Sequence, residues 1–390
     1  MMTKHRMRAR LGYLLFGAIV FIGLIIPPPR VTGTLDNPTL VPQAGRRPER
    51  RPRPKGAAAE QSGEKKPATQ QKKPPVVQAP PEQAIQLEAK LVTVPVVVFD
   101  KKGNLFTKLK KENFAVYEDN VRQEIVTFAG EEAPLTMVML IEYSRIIQWI
   151  RYEVINPAGI FITRFMKPGD YIAIVAFDIR PKVLVDFTNN PGELLNAVNI
   201  LIRNLPAFSE ANLYDALKFV LEGGTVDGEE YGGLAQVKGR TSVLLIATGI
   251  DTFSRINYDQ ARKIVANAGV PIYIIGVGEL AYILAEPYLS GPQRLTFLQA
   301  QNALRTFAES SGGRFYSVRF QGALPSVLNS ISTMMRYQYV LGYTPSTPRK
   351  KGKKHKITVL VDVNGDGKPD NKQLEVQYRR FYIEPKDDAK

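Results

Sequence analysis

Cysteine is absent from the 390 residues, which excludes disulfides and thiolate chemistry and leaves no redox compartment to infer. Histidine is nearly absent: His5 lies near the N-terminus and His355 in a Lys-rich turn. The folded part therefore offers no imidazole for a Ser-His-Asp triad or a His-based zinc site, and the common hydrolase chemistries fall away. Tryptophan occurs once, as Trp149, in a segment that reads as core or interface rather than as a ligand platform. Acidic residues are in deficit, 37 Asp and Glu against 52 Lys and Arg. Most of that deficit is local: residues 1–90 hold 16 Lys and Arg against 6 Asp and Glu, two thirds of the net charge of +15. The basicity belongs to the N-terminal tail and suits an anionic lipid or envelope surface, so no nucleic-acid partner is expected.

What is present begins with Lys4, Arg6, Arg8 and Arg10 ahead of the apolar run Leu11–Ile26. That layout is an export signal or signal anchor, so the remainder is expected outside the cytoplasm, held at a membrane through this segment or secreted if it is cleaved. No Ala-x-Ala box follows it. Residues 27–84 are rich in Pro, Lys, Arg and Gln and carry few aromatics, the composition of a disordered linker.

Residues 85–130 alternate β-branched runs with turn signals (LVTVPVVVFD, KKGN, FAVYED, QEIVTFAG) and read as the first part of a β module. From 131 to 336 strands alternate with helical patterns, which implies a mostly parallel sheet covered by helices on both faces. Expected strands are 135–142, 171–177, 182–187, 242–248, 272–277 and 314–318, and a helix over 145–166 is expected to break at Asn156 and Pro157. Residues 337–390 return to strands. Neither β segment has enough strands to bury a core alone, so the two are expected to pair into one small β-sandwich with the α/β domain inserted between them.

Chemistry in an open α/β sheet gathers where strands end. Three segments are expected to meet there: LTMVMLIEYS, SEANLYDAL and SVLLIATGID. Asp215 and Asp251 are further oxygen donors nearby, Asp215 as a surface or capping residue. Two glycine patterns are weaker. Gly276-x-Gly278-x-x-Ala281 follows a late strand with no room for a long phosphate-facing helix and reads as a strand-end turn, while 222–240 lacks a Gly-Lys-Ser/Thr ending and reads as a mobile loop. A stronger pattern is Asp362-Val-Asn364-Gly-Asp366-Gly-Lys368-Pro-Asp370. Oxygen side chains at alternate positions around a glycine are what a calcium loop needs, so Asp362, Asn364, Asp366, Asp370 and the carbonyl of Lys368 form a candidate calcium site in a hairpin. Gln373 stands where an EF-hand would carry a bidentate Glu, which sets any affinity in the weak, extracellular range.

VPVVVFDKKGNLFTKLKKENFAVYEDN with QEIVTF, the Tyr-Ser loop at 143–144, NLYDAL and QYVLGYTP together resemble the VWFA-related acidobacterial family of exported von Willebrand factor type A domain proteins. The resemblance implies a Rossmann-like type A domain beside a β module. It also implies a place for a metal-ion-dependent adhesion site, where Glu142 and Ser144 fall in the first loop, Ala211 at the threonine position and Thr248 at the late aspartate position. Ile146 and Ala211 have no ligand atom, Thr248 lacks the charge, and Arg145 adds a competing one. The site is degenerate, and magnesium is not expected there. The function that follows is a non-enzymatic, envelope-tethered module binding a protein at the carboxyl edge of its sheet; the alternative is a structural or assembly scaffold for a membrane or envelope complex.

Overall fold

A computed structural model describes residues 91–130, 134–237, 239–346 and 352–384. The expected signal segment and linker lie outside the described residues. The chain first lays down β1 (Val92–Asp100), β2 (Phe114–Glu118), β3 (Val121–Gln123) and β4 (Ile125–Ala129). β1 is a nearly unbroken β-branched run, buried at almost every position as a central strand requires. It also contains Pro95, which is normally confined to sheet edges. The register explains this: Pro95 faces Val340 on one side, while pairing on the other side begins only at Val96.

The α/β body follows, with β5 (Thr136–Glu142), α1 (Arg151–Phe165), β6 (Tyr171–Phe177), β7 (Pro181–Thr188), α2 (Pro191–Arg203), α3 (Leu213–Glu222), the short strands β8 (Gly223–Val226) and β9 (Glu229–Gly232), and β10 (Thr241–Ala247). It continues through α4 (Tyr258–Ala268), β11 (Ile272–Gly276), α5 (Gly278–Ala285), α6 (Gly291–Ser311), β12 (Phe315–Ser317) and α7 (Leu324–Arg336). The sheet order is β12-β11-β10-β5-β6-β7, parallel except at β7. Three residues separate β6 from β7, too few for a crossover, so β7 must run antiparallel.

Alternation along β5 sends Met137, Met139 and Ile141 toward α1, α2 and α7, and Val138 and Leu140 toward α3, α4 and α6. Both faces are thereby covered, each fully buried aliphatic side chain contributing about 1.5–3 kcal/mol. Two local expectations change. The break expected at Pro157 falls instead at residue 150, where a 3-10 turn (Arg145–Ile150) gives way to α1; Pro157 stays inside the helix on its buried face. The segment expected as a mobile loop over 222–240 is a β8–β9 hairpin turning through Asp227-Gly228, both at positive φ, followed by a 3-10 turn. Asp-Gly is a strong hairpin turn, and it outweighed the absence of apolar alternation.

After α7 come β13 (Tyr339–Tyr343), β14 (Lys354–Val361), β15 (Leu374–Tyr378) and β16 (Phe381–Ile383), so His355, expected in a turn, is instead a buried residue of β14. They interleave with the first four strands in two sheets, β15-β1-β13-β4 and β16-β14-β2-β3. A single apolar core lies between them, including Val94, Val96, Val116, Leu341, Val359 and Val376. β4 and β13, through which the chain enters and leaves the α/β body, are antiparallel neighbours, with Ala129 opposite Val340.

Candidate functional site

β5 and β10 are adjacent parallel strands, so their carboxyl ends deliver Glu142 and Thr248 side by side. The Glu142 side chain is fully buried. One of its oxygens accepts from the Thr248 backbone N–H at 2.7 Å and the Thr248 hydroxyl at 2.8 Å; the other accepts from the Ser144 hydroxyl at 3.0 Å. Burial pushes this carboxyl up, and the three donors only partly oppose the shift. Arg145 does not pair with Glu142. It turns away, its N–H donating to the Phe208 carbonyl at 2.8 Å and its Nε to the Pro206 carbonyl at 3.3 Å.

Ala211 lies on the adjoining loop before α3, also buried, and brings only a methyl group. Its backbone is tied to the loop after β10: its N–H donates to the Thr252 hydroxyl at 2.9 Å and its carbonyl accepts from Thr252 at 2.8 Å and Phe253 at 3.1 Å. Glu142, Ser144 and Thr248 thus meet directly and Ala211 abuts the same loop. As a metal site the set does not fit: a lone carboxylate has both oxygens engaged by protein donors, and the side chain is closed to solvent. Among the described residues no group of three or more His, Cys, Asp or Glu side chains is arranged to hold a metal ion.

Asp251 and Asp215 secure neighbouring loops. Asp251 Oδ1 accepts from the Ser254 hydroxyl at 2.5 Å and the Tyr214 N–H at 3.2 Å, and burial raises its carboxyl. Asp215 accepts from the N–H groups of Arg255 at 3.0 Å and Ile256 at 3.2 Å, which pins the approach to α4.

Exposed apolar side chains surround this knot, of which the sequence singles out Trp149 alone. Trp149 on the 3-10 turn is 84% exposed, Leu205 and Phe208 on the loop after α2 are 72% and 44% exposed, and Phe253 on the loop after β10 is 56% exposed. The contacts of Arg145 with residues 206 and 208, and of Phe253 with Ala211, place these loops against one another. The signal was present in Trp149 and in the isolated apolar residues of polar loops; which of them face solvent depends on the packing of the loops.

The Gly276 and Gly278 pattern serves packing. A Cβ on Gly276 would come within 2.4 Å of the Phe315 ring, and one on Gly278 within 2.4 Å of the Thr248 carbonyl. Only the eight-residue α5 follows. The Asp362–Asp370 segment is also not a hairpin: β14 and β15 belong to different sheets, and the segment carries the chain across from one to the other. Its side chains are engaged with its own backbone. Asp362 accepts from the Gly365 and Gly367 N–H groups, both at 2.7 Å, Asn364 from Asp366 at 3.0 Å, Asp366 from Lys368 at 2.8 Å and Asp370 from Val363 at 2.9 Å. As arranged, the carboxylates tie Asx turns, and no three of them are gathered into one group.

No protein-family model matches the chain, and no curated protein does. Among solved structures the chain is similar to proximal thread matrix protein 1 from the mussel byssus, at 15% identity and TM-score 0.37 over 52% of this chain and 48% of that one, so it spans about half of that protein. It is also similar to the conserved hypothetical protein BatB from Bacteroides thetaiotaomicron (14% identity, TM-score 0.36, 52% of this chain and 98% of that chain). A further likeness is to the vWF domain of the type V pili tip protein Mfa5 from Porphyromonas gingivalis (14%, TM-score 0.36, 53% and 96%). A form of the mussel protein is described with a zinc-occupied MIDAS motif.

Proposed function

We propose that the chain is a non-enzymatic, exported protein-binding module that receives a protein partner on the carboxyl edge of its α/β sheet, without a metal ion. The observation that carries this reading is the set of exposed Trp149, Leu205, Phe208 and Phe253 on loops packed around a sealed Glu142–Ser144–Thr248 knot. Large apolar side chains held in water are costly unless a partner covers them, and aromatic anchors dominate the energetics of such contacts. The knot beneath is rigid because every oxygen of Glu142 is engaged, so the loops are presented in a fixed arrangement. In this reading the segment Leu11–Ile26 exports the chain and tethers it to a membrane; no helix among the described residues is long and apolar enough to cross one.

Crosslinking capture from intact cells tests it. The doubly substituted Trp149→Ala, Phe253→Ala chain should lose its captured partner by on the order of tenfold or more while melting at the same temperature as the parent. Equal capture by both would sink the reading.

A further inference from the structure

Between α6 and the N-terminal ends of α3 and α4 lies a cleft of about 440 Å³, within the range of small-ligand sites. Its floor is Ala300 and Ala303 on α6, whose small side chains leave the space open. Its inner end is closed by the loop after β10. Gly249, at φ +88°, presses so closely on α6 that a Cβ would come within 2.8 Å of the Ala300 carbonyl. One wall is made by the rings of Tyr214 and Tyr258, which pack against each other at a tilt of 59° with centroids 6.1 Å apart. Both rest on buried Phe307, at 5.8 Å and 5.5 Å, which fixes their orientation.

Asp251 reaches this cleft as its charged group. It is partly buried, and no Lys or Arg lines the cleft. Among the described residues no ion pair engages Asp251, and the charge nearest in effect is the repulsive one of Asp215. Tyr214 registers the same surroundings: burial first, then the negative charge of Asp251, pushes its hydroxyl up to about 12. An acidic group without a counter-ion, beside a wall of two tyrosine rings, is complementary to one kind of ligand: a cation on an aliphatic stem.

We infer that this cleft takes a lysine or arginine side chain, its charged head on Asp251 and its stem laid along the wall made by Tyr214 and Tyr258. The inference rests on the proposed protein-binding role for the source of that side chain, because the cleft opens beside the loop that carries Phe253. It adds a chemical requirement to the partner: a basic residue close to an apolar patch.

Calorimetric titration of the full chain with acetyl-arginine amide, acetyl-lysine amide and the neutral isostere acetyl-citrulline amide tests the assignment. The two cationic probes should bind with the citrulline probe at least ~10-fold weaker, a discrimination of about 1.4 kcal/mol. Asp251→Asn keeps an Oδ acceptor for Ser254 and Tyr214 and should abolish the preference for charge. Tyr258→Leu keeps apolar contact with Phe307 and should weaken both cations several-fold. Equal binding of citrulline and arginine, no binding of any probe, or an Asp251→Asn chain that still prefers the cation would overturn the inference. Partner capture by the Trp149→Ala, Phe253→Ala chain is measured separately, so loss of the cation site and loss of the docking role give different patterns.

Discussion

The two ends of the α/β sheet each bury a carboxylate, and they stabilise it in opposite ways. At the amino end, Asp170 precedes β6 and accepts from the N–H groups of Lys167 at 2.8 Å and Leu135 at 3.0 Å and from the Arg336 guanidinium at 2.6 Å. Burial raises this carboxyl, but Arg336 and the two backbone donors overcome it and hold it below the usual range. Arg240 extends the clamp, donating to the carbonyls of Arg336 and of Gly130, where the chain enters the α/β body. At the carboxyl end Glu142 has three neutral donors and no cation, so burial wins and the group is driven toward neutrality. The guanidinium decides the sign. Charge is used where the α/β body is fastened to the two-sheet body, and neutral hydrogen bonding where the loops face outward.

The largest expected effect breaks the charged end. Asp170→Ala leaves the largely buried Arg336 without its carboxylate and should cost about 3–5 kcal/mol in urea unfolding; a loss under about 1 kcal/mol would show that the clamp is not what fastens this edge. Next, Glu142→Ala strands the Thr248 N–H, the Thr248 hydroxyl and the Ser144 hydroxyl and should cost about 2–4 kcal/mol, with Glu142→Gln recovering part of it.

The pH dependences should then separate the ends. Asp170 sits below its usual 3.8, so its contribution is present above that value and is lost as pH falls through its folded pKa. Glu142 sits above its usual 4.5, so its contribution is full below that value and is lost as pH rises through its folded pKa. Stability measured over roughly pH 2 to 8 should fall less steeply below the usual aspartate range in Asp170→Asn, and decline less above the usual glutamate range in Glu142→Gln. Identical profiles would erase the distinction. The smallest effect is Trp149→Ala, expected within ~0.5 kcal/mol of the parent because the ring packs on little.

Much of this frame was legible in the sequence, because runs such as LTMVMLIE and SVLLIA are apolar on both faces and mark central parallel strands. Once β5 and β10 are neighbours, Glu142 and Thr248 must lie together. Other features depend on distant partners. The cleft at Asp251 exists because Ala300 and Ala303 arrive from a helix some fifty residues later, and nothing near Asp251 signals them. Arg145 is close to Glu142 in sequence and reads as a competing charge there, but it opens the 3-10 turn and its guanidinium is drawn to the Pro206 carbonyl on a loop some sixty residues later. The Asp362–Asp370 loop shows the spacing of a calcium site, yet spacing does not report whether carboxylates face a common point or their own N–H groups.

The interleaving of the two-sheet body has a consequence for the order in which the protein can form. Both partners of β1, β13 and β15, begin only at Tyr339 and Leu374, and β4 also waits for β13. Of the first four strands, only β2 and β3 pair with each other. A chain emerging N-terminus first therefore carries β1 and β4 with open edges until the whole α/β body has appeared, a long-range closure that slows folding and exposes sticky strands meanwhile. Losing the strands from Tyr339 onward would unmake the first four as well: the last part of the chain to arrive is a structural component of the first.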